Sequence, residues 1–105
     1  MTRIAITGAA GRMGRILIEA ADAAEDAQVG AAIVLPNDPM AGVDAGAIAG
    51  LGKNLAVFAV TDVAAALDSF DVLIDFTAPE ATMANVEICR QAGKKIVIGT
   101  TGLND

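Results

Sequence analysis

Apolar residues along this chain fall into short continuous runs, which alternate with segments where apolar positions recur every three or four residues. The short runs are typical of strands and lie at residues 3–7, 28–35, 55–60, 72–76 and 95–98. Helical spacing covers residues 12–25, a short segment at 62–67, and a segment that opens near Pro79 and ends at Gly93. Residues 37–54, rich in Gly and Ala, predict an irregular loop with one short helical turn.

This alternation predicts an α/β architecture: a parallel sheet of about five strands, with helices on both faces and right-handed crossovers. Both faces of the first strand are apolar, as expected for a central strand that helices cover. The predicted buried stripe of the first helix consists of Ile16, Leu17, Ala20, Ala21 and Ala24. Since 105 residues suffice for one small domain and not for two, we predict a single domain over residues 1–105.

A glycine-rich segment joins the first predicted strand to the first predicted helix. Gly8, Gly11 and Gly14 are spaced three apart and leave almost no loop between the two elements. Glycine allows a tight bend and close approach of an anion, and the N–H groups at a helix start favour negative charge. The segment therefore predicts a pyrophosphate site, although a tight turn without a ligand explains the same glycines. Arg12 either reaches phosphate oxygens there or is a solvated charge.

Two further segments follow predicted strands and converge on the same sheet edge. They are Phe76-Thr77 after the fourth strand and Gly99-Thr100-Thr101-Gly102 after the fifth. Parallel sheets bind ligands outside the carboxyl ends of their strands, where small hydroxyl-bearing residues lie alongside a flat ring or bond to an amide. A helix cap or a turn explains either segment alone equally well, but convergence with the glycine turn favours one shared ligand site.

The acidic residues near this edge of the sheet differ from those usual in dinucleotide-binding proteins. An acidic residue near the end of the second strand normally binds the ribose hydroxyls. Val34 and Leu35 stand there, so either Asn37 and Asp38 substitute from the loop or binding of the adenosine ribose is weakened. Asp75, at the end of the fourth strand, is interpreted as a carboxylate that bonds to nearby backbone N–H groups rather than as a catalytic group.

Composition narrows the classes of partner. Hydrophobic residues make up 54% of the chain, enough for a packed core, and the net charge of −6 argues against nucleic acid as a partner. A single cysteine, Cys89, leaves no internal disulfide, and no segment has the character of a signal peptide or of a bilayer-spanning helix. We therefore expect a cytoplasmic protein with no membrane partner and no metal site.

Taken together, four segments of the chain resemble the 4-hydroxy-tetrahydrodipicolinate reductases, also called dihydrodipicolinate reductases, of bacterial lysine and diaminopimelate biosynthesis. In family order the segments are ITGAAGRMGR at 6–15, DAG at 44–46, FDVLIDFTAPE at 70–80 and GKKIVIGTTG at 93–102. Two departures stand out: Val34 and Leu35 replace an acidic and a basic residue, and Ala78 stands where the family often has arginine.

The resemblance implies a Rossmann-type domain that binds NADH or NADPH. In such enzymes the glycine turn holds the pyrophosphate, and the segments after the fourth and fifth strands border the nicotinamide. The cofactor-binding residues carried over in this way are Gly8, Ala9, Ala10, Gly11, Arg12, Met13, Phe76, Thr77, Gly99, Thr100 and Thr101. Hydride then passes from C4 of the nicotinamide to an unsaturated cyclic dicarboxylate.

The resemblance also implies a longer protein. The substrate domain of the family lies downstream and carries a histidine-rich motif with a nearby lysine, whereas this chain contains no histidine. We therefore expect these residues to be the cofactor half, truncated before the substrate domain, with no catalytic residue of its own and no activity alone. The longer protein is expected to be a homo-oligomer, and the fragment to self-associate through uncovered apolar surface.

Two alternatives stay open from the sequence. The opening TGAAG at 7–11 also fits extended short-chain dehydrogenases and NAD(P)-sensing binding domains, whose downstream tyrosine and lysine this chain does not show. A structural scaffold without ligand affinity, engineered or isolated, is compatible with the missing ribose partner. The run Gly99-Thr100-Thr101-Gly102 favours the reductase over the short-chain dehydrogenase.

Overall fold

The computed structural model of the chain describes residues 2–76 and 79–98. Its elements, in chain order, are β1 (Thr2–Thr7), α1 (Arg12–Ala23), β2 (Ala27–Ile33), α2 (Ala45–Ile48), a 3-10 helix (Val63–Ser69), β3 (Val72–Asp75), α3 (Pro79–Ala92) and β4 (Lys95–Ile98). The short helical turn expected in the loop after β2 is α2, and the Asp44 side chain caps it by accepting a hydrogen bond from Gly46 N.

All neighbouring strands pair in parallel, in the order β2-β1-β3-β4. The α/β prediction is thus confirmed. The chain moves outward from β1 to β2 on one side and then crosses back to β3 on the other side of β1. A crevice forms at such a reversal, outside the carboxyl ends of the two strands. One irregularity shifts the β1–β2 register between Ile4 and Ala5, where Gly30 is the extra residue of β2.

The predicted strand at residues 55–60 does not form, so the described sheet has four strands rather than five. Only Val60 pairs with β2: its N–H donates to Ala32 O over 2.9 Å, and its carbonyl accepts from Val34 N over 2.8 Å. The residues before it bond instead to the preceding loop, with Ala59 N donating to Val43 O over 2.9 Å. Because the segment divides its hydrogen bonds between two partners, it makes isolated bridges.

Two apolar clusters cover the two faces of the sheet, which confirms the expectation of helices on both sides. Consecutive residues of β1 point to opposite faces. Ile6 packs in the cluster that contains Ile18 of α1, whereas Ala5 packs in the cluster that contains Phe70 and Leu73. All five of these side chains are fully buried. The sheet is therefore a middle layer, with α1 and α2 on one face and the 3-10 helix and α3 on the other.

The buried face of α1 includes Ala21 and, in part, Leu17 of the predicted stripe, but it is rotated away from Ile16 and Ala20. Ile16 is 53% exposed and Ala20 is exposed as well, and the buried residues of the helix are Gly14, Ile18 and Ala21. Ile18 and Ala21 follow Gly14 at helical spacing on the same face of α1, and Gly14 contacts the preceding turn directly. The close approach at Gly14 fixes the rotation of the helix, and Ile16 consequently points to solvent.

Candidate functional site

The glycine turn begins directly at the end of β1. Gly8 adopts a φ of +61°, a left-handed conformation that favours glycine, and its carbonyl accepts a hydrogen bond from Gly11 N over 2.9 Å. Ala9 is fully buried, and its N–H donates to Ile33 O at the end of β2 over 3.1 Å. The turn is therefore fixed to the carboxyl ends of two strands.

The first helix starts immediately on this turn. A Cβ atom at Gly14 would lie 2.7 Å from Ala9 Cα and closer still to the carbonyl oxygen of Gly8, so only glycine allows this approach. Gly11 is the N-cap of α1, and within the described residues no side chain caps this helix end. Free N–H groups at a helix start attract anions, so the turn and the helix together offer a site suited to phosphate oxygens.

The predicted residues of the turn differ in accessibility. Gly8, Gly11, Arg12 and Met13 are exposed, whereas the side chain of Ala9 is buried. Only the backbone of Ala9 is thus available to shape the turn. Arg12 is the first residue of α1, and its side chain is exposed to solvent. A cation at a helix N-terminus slightly destabilises the helix unless an anion lies close to it.

A second arginine, Arg15, is exposed to solvent and also supports the turn. Arg15 Nε donates to the carbonyl oxygen of Ala10 over 3.0 Å. This contact holds the middle of the turn against the first turn of α1. Arg15 and Ala10 are five residues apart, and the pattern of apolar positions does not predict a contact between them.

A cleft of about 590 Å³ opens beside the turn, at the carboxyl ends of β1, β2 and β3. Gly8, Leu35 and Phe76, each beyond the end of one of these strands, contribute to its lining. The opposite wall comes from Asp62 and from one face of α3, which includes Ile88. Sequence reasoning missed this wall, because Asp62 reaches the cleft only through the pairing of Val60 with β2.

Beneath the cleft lies a buried polar network that joins three elements. Asp75 is fully buried, with Thr7 Oγ1 donating to its Oδ1 over 3.2 Å and Asn85 Nδ2 donating to its Oδ2 over 3.0 Å. The Thr7 oxygen in turn accepts from Phe76 N over 3.0 Å. These two contacts come from side chains on β1 and α3, and the backbone donors that the sequence predicts for Asp75 stay a prediction. The network fixes Phe76 relative to the glycine turn.

Cys89 lies fully buried on the inner face of α3. Burial, and secondarily the charge of Asp75, raises the pKa of its thiol above the usual value. A thiol in this environment stays protonated and unreactive at neutral pH. Cys89 is thus part of the core on this face of the sheet.

Among the described residues directly after β2, none supplies the carboxylate that usually binds the adenosine ribose of a dinucleotide. Val34 is buried, and Leu35 is 72% exposed at the mouth of the cleft. Asp38 Oδ1 accepts a hydrogen bond from Met40 N over 2.8 Å, within its own loop, and neither Asn37 nor Asp38 lines the cleft. Four predicted site residues, Thr77, Gly99, Thr100 and Thr101, lie outside the described residues.

Residues 2–105 match the family described as dihydrodipicolinate reductase, N-terminus. Among curated relatives, the 4-hydroxy-tetrahydrodipicolinate reductase of Saccharophagus degradans is 54% identical over 98% of this chain. Those of Hahella chejuensis and Chromohalobacter salexigens are each 55% identical over 100% of it. The chain spans only 38% to 39% of the length of these relatives.

Two solved structures share this architecture. A dipicolinate-bound dihydrodipicolinate reductase from a Paenisporosarcina species superposes with a TM-score of 0.73 at 25% identity, over 97% of this chain and 38% of that one. An amine dehydrogenase from Mycobacterium smegmatis superposes with a TM-score of 0.77 at 24% identity, over 92% of this chain and 29% of that one. The second likeness shows the fold alone.

Proposed function

The chain belongs to the family of dihydrodipicolinate reductase N-terminal domains, and from this premise we propose that residues 1–105 form the dinucleotide-binding half of such a reductase. The cofactor is NADH or NADPH. Its nicotinamide supplies the hydride, and this chain supplies binding and orientation. The observation that carries the proposal is the start of α1, which no described side chain caps and which lies on a glycine turn beside a cleft at the point where the strand order reverses.

The residues fit a dinucleotide in a definite order along the sheet edge. The backbone of Gly8, Ala9, Ala10 and Gly11, with Met13 at the helix start, holds the pyrophosphate, and the exposed guanidinium of Arg12 neutralises it. The largely apolar cleft between Leu35 and Ile88 receives the adenosine. Phe76, which lines the same cleft beyond β3, borders the nicotinamide, and by the family motif Thr77, Gly99, Thr100 and Thr101 complete that site.

The activity of the longer protein is also part of the proposal. We infer that it transfers hydride to a cyclic unsaturated dicarboxylate in the synthesis of lysine and diaminopimelate, as the names of the relatives indicate. The substrate-binding residues then lie outside these 105 residues, so the chain alone binds cofactor without turnover. A cytoplasmic location and a homo-oligomeric longer protein complete this proposal. Among the described residues, no helix is both long and apolar enough to cross a bilayer.

Titration of the 105-residue chain with NADH tests the proposal directly. The chain contains no Trp and no Tyr, so the emission of the reduced nicotinamide is measured without interference from the protein. We expect saturable binding and, in calorimetry, one site per chain. A linear signal up to millimolar NADH and NADPH would show that this chain does not bind the cofactor.

A further inference from the structure

The residues that line the cleft affect which of the two cofactors this chain binds more tightly. Resting on the proposed function, we propose that the chain favours NADH over NADPH, and that Asp62 is the residue that sets this preference. NADPH differs from NADH only by a phosphate on the 2′ oxygen of the adenosine ribose. Dinucleotide-binding sheets accept that phosphate with an arginine, and bind the free hydroxyls with an acidic residue.

The residues that line the cleft include one charged side chain, the carboxylate of Asp62. Within the described residues no lysine or arginine lines it, and the residues beyond β2, from Val34 to Pro36, are apolar. The two arginines of the glycine turn are placed elsewhere, since Arg12 starts α1 and Arg15 Nε bonds to Ala10 O. The described lining of the cleft thus presents a negative charge and no positive charge to a 2′-phosphate.

Asp62 is positioned for this role by two structural features. Val60 pairs with β2, so the residues that follow it run beside Leu35 and reach the same cleft. Asp62 then caps the 3-10 helix, with its Oδ1 accepting from Ala64 N over 3.0 Å. Its other oxygen, Oδ2, accepts no hydrogen bond from the described residues, and the side chain is exposed. The carboxylate is therefore held in place with one acceptor available to ribose hydroxyls.

The carboxylate of Asp62 affects the binding of NADH and NADPH in opposite directions. A phosphate with close to two negative charges is repelled by a carboxylate in the same cleft, and low ionic strength strengthens this repulsion. The hydroxyls of NADH instead donate hydrogen bonds to that carboxylate. We expect NADH to bind at least about tenfold more tightly than NADPH at low salt, with the difference narrowing as salt is added.

The test compares dissociation constants for NADH and NADPH in the 105-residue chain and in three variants. Asp62→Asn keeps the helix cap, because Asn and Asp cap about equally well, but removes the charge. It should tighten NADPH binding about tenfold and weaken NADH binding by about tenfold or less, because the cap takes the single oxygen of Asn and leaves no acceptor for the ribose hydroxyls. Leu35→Arg places a cation at the exposed end of β2 and should also tighten NADPH binding about tenfold.

Asp26→Asn is the matched control. It removes the same charge at the opposite end of β2, about 20 Å from the cleft, and should leave the ratio of the two constants unchanged. Equal or tighter binding of NADPH by the unmodified chain would overturn the preference while leaving the proposed function intact. An unchanged ratio in Asp62→Asn would overturn the role of Asp62. Binding of neither cofactor would overturn the proposed function itself, and this inference with it.

Discussion

The hydroxyl of Thr7 donates to Oδ1 of Asp75 over 3.2 Å, and both side chains are buried at the ends of adjacent strands. Because the glycine turn follows Thr7 and Phe76 follows Asp75, this contact joins the two segments that we assign to the pyrophosphate and the nicotinamide. The two halves of the site are therefore connected through the paired strands β1 and β3 and through this buried contact at their ends.

Thr7→Val removes this hydroxyl while keeping the shape of the side chain. Asp75 Oδ1 and Phe76 N each lose a partner, so we expect the free energy of unfolding to fall by about 2 kcal/mol and NADH binding to weaken. Urea unfolding followed by circular dichroism measures the first effect. Thr7→Ser keeps the hydroxyl and should lose about 1 kcal/mol or less. Equal unfolding midpoints for the two variants would contradict the assigned network.

Gly14→Ala should disturb the approach of α1 to the turn. The added Cβ would meet backbone atoms of Gly8 and Ala9 that cannot rotate away, so we expect a loss of about 1–3 kcal/mol in stability and weaker cofactor binding. The comparison variant is Gly11→Ala, whose Cβ would lie 3.3 Å from Gly8 O. Thermal unfolding should rank Gly14→Ala as the more damaging change, and the reverse order would disprove this account of the turn.

Ala56 adopts a φ of +60°, a left-handed conformation that costs any residue with a Cβ about 1–2 kcal/mol. Ala56→Gly removes this strain and should raise the free energy of unfolding by about 0.5–1 kcal/mol after the greater freedom of glycine in the unfolded chain is considered. Ala64→Gly, in the exposed face of the 3-10 helix, should lower it by a similar amount. Destabilisation by both substitutions would refute the strain at Ala56.

The ion pair between Arg3 and Asp71 predicts part of the acid sensitivity of the fold. Hydrogen bonds from the side chain and then the backbone N–H of Arg3 lower the pKa of Asp71 from 3.8 to about 2. The folded state thus favours the ionised carboxylate. This stabilisation is complete above about pH 4 and is lost as the pH falls toward about 2.

Asp71→Asn should therefore flatten the dependence of the melting temperature on pH between about pH 4 and pH 2. A residual slope is expected from Asp44. Burial opposes ionisation of that side chain, but hydrogen bonds from the backbone of Leu55, Gly46 and Val57 outweigh it and lower its pKa. Asp26→Asn again serves as the control. An identical pH profile for the Asp71 variant and the unmodified chain would exclude a contribution from the ion pair.

Sequence reasoning succeeded where short-range chemistry decides the structure. The glycine turn and the start of α1 at Arg12 follow from residues a few positions apart, as does the short helical segment predicted from residue 62. It failed where distant residues decide. Residues 55–60 have strand-like composition, but whether they pair depends on the loop at Val43 and on β2, neither of which the run itself specifies.

The phase of α1 illustrates the same limit within a single helix. Ile16 and Ile18 are equally apolar, and helical spacing alone permits a stripe through either of them. Contact of Gly14 with the turn selects Ile18, and that contact is a property of the folded backbone. The position of Asp62 in the cleft likewise depends on the single pairing of Val60 with β2, so its proposed role was not evident from the sequence.

That single pairing has a further effect on the sheet. The N–H of Val34 and the carbonyl of Ala32 are both occupied by Val60, so this stretch of the outer side of β2 is closed to an incoming strand. On the opposite side, β4 pairs only with β3 among the described residues. Within the described part of the chain, addition of a strand beside Val34, next to the cleft, is thereby blocked, whereas the outer side of β4 accepts one.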